Sequence, residues 1–398
     1  MRIGISCFGH KPGTAGGTQV YRRELISALA SFDRSHQYIL LKWEDDNIAL
    51  DDLPSNFTSV ALSCSTKGFL SSRLEQVAVN YFLWNRPNVL SRQVDGLALD
   101  LIHFPTTVIS PVIHVVPVVL TFFDMQQEFY PENFSAMERL RRRLTYRPSA
   151  QWAAVIISPS TFTTETLVQR YHIARHKIRQ VPAGIARHFR PEPDPQVRAA
   201  VRQRYGLPED FILYPANVWP HKNHRRLLAA LVRLNTMYGL RLNLVCTGAR
   251  WRAGETLTQM ARSAGLLEQQ FFDLGFVRAE DMLPIYCATR LMVFPSLFEG
   301  FGIPVLEAMA CGCPVVCANT TALPEVGGEA VRLFDPLNVP AMAETIRQVW
   351  EDADLRAAMA RQGLRRAEHY RWERIIPAVV EVYRETFQRF SKGNQHAT

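Results

Sequence analysis

The 398-residue chain has no run approaching the ~20 consecutive apolar residues that a membrane-spanning helix needs. The nearest, residues 112–123, is short and holds His114 and Pro117, which predicts a buried strand. No secretory leader is expected, because Met1-Arg2 runs straight into the strand-like IGISCF. Cysteine is sparse and odd in number, seven in all: Cys7, Cys64, Cys246, Cys287, Cys311, Cys313 and Cys317. Cys311-Gly-Cys313 lacks a second pair, or histidines at zinc spacing, so neither a disulfide framework nor a zinc finger is expected. Reduced, buried thiols in a cytosolic protein fit the set better. The loop after the first strand does not spell G-x-G-x-x-G, and G-K-[ST] is missing, which argues against an NAD-dependent oxidoreductase and a P-loop hydrolase.

What is present is an ordinary globular composition, 47% hydrophobic and 21% charged, in a chain too long for one core. Strand-like and helix-like segments alternate: strands at 2–8, 38–42, 101–104, 115–122, 154–158 and 177–182, helices at 19–30, 71–82, 135–152 and 163–171, the last with Ser160 as its cap. Pro182, Pro191, Pro193 and Pro195 mark 182–196 as a linker. The alternation then restarts, with strands at 211–215, 241–247, 271–275, 291–295 and 314–317 and helices at 224–237, 254–264, 279–287 and 305–310. The expected fold is α/β, two doubly wound parallel-sheet domains facing a cleft. Boundaries are placed at 1–187, 188–372 and 373–398, the last a helical tail crossing back to the first domain.

The net charge of +8 is uneven, with ten Lys/Arg against three Asp/Glu between Tyr130 and Arg187, densest in ERLRRRLTYR at 138–147. Such a patch suits an anionic membrane surface, a nucleic acid or a phosphorylated substrate, and equally a solvated helix face. The apolar stretch 69–84 offers a second membrane-facing segment or ordinary helix packing.

The segment SLFEGFGIPVLEAMACGCPVV, 296–316, carries the sharpest signal. A short apolar strand leads into a loop holding Glu299, Gly300, Phe301 and Gly302, and a helix follows with Pro304 suited to its first position. Free N–H groups over 303–306 would favour an anion, and Glu299, with Glu307 expected in the first helical turn, would face one ligand. The competing reading makes Glu307 a helix-dipole partner and Glu299 a solvated loop residue. In WPHKNHRRLL, Lys222 follows the first strand of the second domain, amid His221, Asn223 and His224, where its charge could neutralise a diphosphate. Gly16 and Gly17, in the loop after the first strand, allow close approach of backbone to phosphate or sugar, or simply a tight turn.

These residues resemble the E-x7-E signature of retaining GT-B glycosyltransferases, specifically glycosyltransferase family 4. Glu299 and Glu307, Lys222, LGFV at 274–277 and Gly16-Gly17 stand in the expected order across nearly the whole chain. The resemblance implies that Glu307 binds the donor ribose and Glu299 the donor sugar. Backbone amides of Phe301, Gly302 and Ile303 would meet sugar hydroxyls and phosphate beside Gly300. Lys222 would hold the diphosphate, with Gly16, Gly17, Phe276 and Val277 completing the donor site.

Two positions depart from the pattern. Asn217 occupies the place of an arginine that shares the diphosphate, and Phe123 that of the histidine in a His-Asp pair whose Asp124 is kept. Asp124 reads as a positioner of donor or acceptor, or as a turn cap.

The expected activity is metal-independent, retaining hexosyl transfer from a nucleotide sugar to a glycan or lipid-linked acceptor in bacterial surface-polysaccharide synthesis. GDP-mannose is the donor indicated by the mannosyl- and rhamnosyl-like wording around Lys222. No cofactor and no nucleic acid are expected, and the location is cytoplasmic, at the inner membrane face where the basic patch docks. The alternatives are an epimerase-like enzyme of the same fold and a degenerate, non-catalytic sugar-nucleotide-binding protein. Asp352-Ala-Asp354 spells D-x-D but lies in a helical surface stretch, so it is read as structural.

Overall fold

In the computed structural model, the residues described are 1–8, 17–44, 53–62, 89–113, 115–192, 194–249 and 256–395. The helix expected at 71–82, the apolar stretch 69–84, Gly16 and Cys64 lie outside them. The chain divides into two compact units, residues 1–184 with 372–398, and residues 185–371. It leaves the first unit ahead of the expected 187/188 because Ile185 already belongs to the second. The Ile185 N–H donates to the Tyr370 carbonyl (2.8 Å), and Ile185 bridges Arg371. The segment 182–196 is likewise no loose linker: Ala183, Ile185, Ala186 and Phe189 are buried, and the Arg371 guanidinium donates to the Phe189 carbonyl at 2.8 Å.

Among the described residues the first unit has seven parallel strands: β1 Arg2–Ser6, β2 Gln37–Trp43, β3 Phe57–Leu62, β4 Leu101–Phe104, β5 Val118–Thr121, β6 Val155–Ser158 and β7 Ile178–Gln180. Their order is β3-β2-β1-β4-β5-β6-β7. Strands β4, β5 and β6 are buried along their whole length, as mainly apolar strands in a parallel sheet covered on both faces should be. β3 was not expected, since FTSVAL is buried only at its two ends and sits at the sheet edge. Ser135 and Ser160 cap the helices Ala136–Trp152 and Thr161–Tyr171 by accepting from the N–H of Glu138 and Thr163.

The helix Trp372–Gln395 belongs to this unit. Its Trp372 ring lies 5.6 Å from Tyr21, and it covers Gly184 so closely that a Cβ there would stand 2.3 Å from the indole. Its Tyr383 hydroxyl pairs with Nδ1 of His103 (2.7 Å), whose Nε2 pairs with Thr121 Oγ1 (2.8 Å). His103 is fully buried, and burial pulls its pKa down to about 3. A depressed histidine pKa means that the unfolded chain binds the extra proton first, so stability is retained above pH 6.5 and lost as pH falls toward 3. From pH 6.5 to 5 His103 alone should cost about 2 kcal/mol. Urea midpoints at pH 7.5 and 5.0 check this, and His103→Gln should flatten the difference.

Among the described residues the second unit has six parallel strands: β8 Ile212–Pro215, β9 Leu244–Thr247, β10 Phe271–Asp273, β11 Leu291–Phe294, β12 Val315–Ala318 and β13 Val331–Phe334. The order β10-β9-β8-β11-β12-β13 reverses direction between β8 and β11, the switch point where doubly wound sheets bind ligands at the carboxyl ends of the strands. Asp194 caps an unexpected helix, Pro195–Tyr205, whose first position is proline. Asp352 caps the helix Ala353–Ala367 by accepting from the Leu355 N–H, so the first carboxylate of D-x-D is spent on structure. Among the described residues, five cysteines are buried and Cys287 is half-buried; burial pushes the Cys313 and Cys246 thiols up. Among the described residues, no helix is long and apolar enough to cross a membrane.

Candidate active site

Two loops leave the carboxyl ends of the strands flanking the switch point, and a set of hydrogen bonds ties them together. After β8 the chain runs through Asn217 to a short 3-10 turn, Pro220–Lys222. Asn223 then turns in the left-handed region (φ 62°) before the helix His224–Tyr238. After β11 it passes Ser296, Glu299 and Gly302 into the helix Ile303–Ala310. The Leu297 N–H donates to the His221 carbonyl (2.7 Å), and the Asn223 side-chain amide donates to the carbonyls of Pro295 (3.1 Å) and Pro336 (2.9 Å).

On this frame Lys222 and Glu299 meet, Nζ to Oε1 at 2.5 Å, with side chains only 17% and 14% exposed. The Lys222 ammonium also lies 5.5 Å above the Phe294 ring, and its carbonyl accepts the buried Tyr214 hydroxyl. The Glu299 N–H donates to Thr321 Oγ1 at 3.1 Å. A cation and a carboxylate are thus held together at a partly closed position beside the switch point, suited to an ionic, hydroxyl-bearing ligand.

The helix at 303–310 differs from expectation in two respects. Gly302 is its N-cap, with φ 118°, and Ile303 precedes Pro304 in the first turn. Of the amides expected to face an anion, Pro304 has no N–H and that of Val305 donates to the Gly302 carbonyl (3.0 Å). The Ile303 end therefore carries what the turn has to offer. Glu307 is the fifth residue of the helix, beyond the first turn, and the first turn holds no acid. Its Oε2 accepts from the Tyr286 hydroxyl at 2.8 Å. Phe301 is buried and its ring meets Tyr370 edge-on at 5.9 Å, anchoring the loop between Gly300 and Gly302. Gly302 packs so near Leu323 that a Cβ would stand 2.8 Å from Cδ2.

The neighbouring loops lock onto the same end of the sheet. Asn217 Oδ1 accepts from the Ala249 N–H (2.7 Å), so this side chain joins the loops after β8 and β9. The Gly248 N–H donates to the Gly275 carbonyl at 2.7 Å, which brings in the loop after β10, where Phe276 is exposed and Val277 is buried. His224 belongs to the packing rather than to a polar cluster: it is buried against the Tyr214 ring (4.7 Å), and burial lowers its pKa to about 3.

In the first unit Gly17 opens the helix Gly17–Phe32, exposed and with open space around it. Asp124 follows β5 and accepts from the Gln126 N–H at 3.2 Å. The Phe123 ring meets Tyr21 edge-on at 4.9 Å, with its N–H donated to Thr107 Oγ1 and its carbonyl accepting from Thr163 Oγ1. The apolar side chain thus packs on a tyrosine that itself bears on the Trp372 helix.

Residues 198–366 match the family described as glycosyl transferases group 1, and residues 15–189 match glycosyltransferase family 4. The O-antigen chain mannosyltransferase B of Escherichia coli is 32% identical over 268 residues, 67% of this chain and 70% of that protein. This chain is a family 4 glycosyltransferase.

The glycosyltransferase also resembles the E. coli serotype-specific mannosyltransferase WbdA, 26% identical over 66% of this chain, although the match spans only 31% of that protein. Its fold is GT-B: the structure of Anabaena HepE in complex with UDP and glucose superposes with a TM-score of 0.72 at 20% identity, covering 97% of this chain and all of that one. Sequence reasoning on the glycosyltransferase missed Tyr286, Tyr214 and Thr321. Tyr286 lies in the apolar helix Ala279–Ala288, where an aromatic residue reads as core.

Proposed function

We propose that the chain transfers a hexose, mannose from GDP-mannose, to a glycan or lipid-linked acceptor in surface-polysaccharide synthesis. The observation that carries the reading is the Lys222–Glu299 pair at the switch point of the second unit. The names of the two E. coli relatives support mannose as the sugar and O-antigen as the class of product.

In this reading the donor diphosphate displaces Glu299 from the Lys222 ammonium. The freed carboxylate takes hydroxyls of the sugar, the Ile303 end of the helix faces the phosphate, and Glu307 takes the ribose. Departure of the nucleoside diphosphate from an oxocarbenium-like centre is the barrier, so stabilising the leaving charge is worth more than a protein nucleophile. Transfer proceeds with retention on the front face, the leaving phosphate oxygen accepting the acceptor proton. The reaction is assigned no metal. Asp124 positions the acceptor, Asn217 contributes loop order, and Phe123 takes no proton.

Nucleoside diphosphate release from a panel of GDP-, UDP- and dTDP-sugars, with and without membrane lipid extract, tests the activity. GDP release from GDP-mannose, stimulated by extract, is expected, and no release from any donor would sink the proposal. Glu307→Ala should weaken GDP binding about tenfold or more, while Phe123→Ala should leave it unchanged.

The helix Ala136–Trp152 supports peripheral association with an anionic membrane. Arg139, Arg141, Arg143 and Arg147 are exposed on it together with Met137 (61%) and Leu140 (51%), so charge and insertable apolar groups share one element. Cosedimentation with phosphatidylglycerol vesicles, lost on Arg139→Glu/Arg143→Glu and missing with phosphatidylcholine, is the expected result.

A further inference from the structure

We propose that Tyr286 is a positioning residue for nucleotide recognition: its buried hydroxyl fixes the Glu307 carboxylate in the orientation that receives the ribose hydroxyls. The inference rests on the ribose contact assigned to Glu307 above.

Glu307 projects from an otherwise buried stretch, with Val305, Leu306, Ala308, Met309 and Ala310 all in the core and Glu307 alone half-exposed. A glutamate has three side-chain torsions, and a carboxylate that must meet two adjacent hydroxyls loses affinity for each torsion left free. The Tyr286 hydroxyl donates to Oε2 at 2.8 Å from the neighbouring helix, Ala279–Ala288. Tyr286 is itself 1% exposed, so its ring has no freedom to follow a wandering partner. Burial, and next the Glu307 charge, push its pKa well above the ordinary tyrosine range, so it remains a donor at every working pH. The ring is held edge-on at 5.9 Å by Phe189, whose carbonyl takes the Arg371 guanidinium at 2.8 Å. A carboxylate in the binding site is thereby connected to the two chain segments through which the second unit joins the first.

A buried tyrosine needs some acceptor, so a purely structural role is the competing account. The two accounts differ in what the hydroxyl does for ligand discrimination. Tyr286→Phe keeps the ring and its packing while removing the donor. Calorimetric titration of the full chain with GDP and with 2′,3′-dideoxy-GDP gives the ratio of the two affinities for wild type, Tyr286→Phe, Glu307→Ala and the double variant.

Wild type should prefer GDP, Glu307→Ala should abolish the preference, and Tyr286→Phe should reduce it roughly three- to tenfold without weakening dideoxy-GDP. In the Glu307→Ala background the tyrosine substitution should change nothing further. A Tyr286→Phe protein that keeps the wild-type ratio, or loses both ligands equally, overturns the positioning role while the ribose contact stands. A Glu307→Ala protein that keeps the wild-type ratio overturns the ribose contact itself, and this inference with it.

Discussion

Lys222→Ala should lower kcat for transfer by about 10²–10³-fold, the loss typical of removing one preorganised group that stabilises developing charge. The expectation is large because Lys222 is held in place from several sides. Its backbone is fixed by the Tyr214 hydroxyl, its ammonium by Glu299 and by the face of Phe294, and Asn217 is engaged with Ala249. Removing it also leaves the Glu299 carboxylate, 14% exposed, unpaired and facing the incoming diphosphate. The double variant Lys222→Ala/Glu299→Gln should therefore bind GDP more tightly than Lys222→Ala alone, although it transfers no faster. Steady-state kinetics and GDP titration of the three proteins check both statements. A Lys222→Ala enzyme that keeps more than a tenth of wild-type kcat would remove the lysine from the leaving-group role.

Gly248→Ala should be strongly destabilising. Gly248 has φ 135°, which costs an L-residue strain, and its added Cβ would stand 2.5 Å from the Ala216 carbonyl oxygen and 2.8 Å from the Asn217 nitrogen. Those are backbone atoms and cannot swing aside as a side chain would. Strain and overlap together should cost about 3 kcal/mol or more. The Gly248 N–H to Gly275 carbonyl bond would break as the loops separate. Gly239→Ala is the control: φ there is 65° but nothing lies within 4 Å, so only about 1–2 kcal/mol is expected. Urea unfolding of both variants, with activity measured below the transition, separates the two costs. Equal midpoints for the two would show that the close approach at Gly248 relaxes freely.

The fold was legible where burial imposes a pattern. β4, β5, β8 and β11 are buried along their length, and apart from His103 and Thr121 each shows as a run of apolar residues. The edge strands β3 and β13 escaped because only their end residues are buried, which leaves interior positions such as Ser59 and Arg332 free to be polar. The helix at 195–205 was hidden by reading Pro191, Pro193 and Pro195 together as a linker, although Asp194-Pro195 is a helix start. In the candidate site, Glu299 and Lys222 stand out by their place at strand ends and by family resemblance, but their contact joins residues 77 positions apart, which local pattern does not encode. Glu307 stands out in the sequence, and its Tyr286 partner does not. An aromatic residue in an apolar helix looks the same whether its hydroxyl is idle or grips a carboxylate.

The crossing of the chain between its units sets an order of events during synthesis. Residues 185–371 form a unit whose two ends pair with each other, while the first unit needs the helix 372–395 to cover Tyr21 and to satisfy His103. On the ribosome that helix emerges last of these segments, after the whole second unit. The second unit can therefore close while the first still waits, with Tyr21 uncovered and His103 Nδ1 lacking the Tyr383 hydroxyl. If the proposed donor site is right, a released chain ending at residue 371 should bind GDP without a finished first domain.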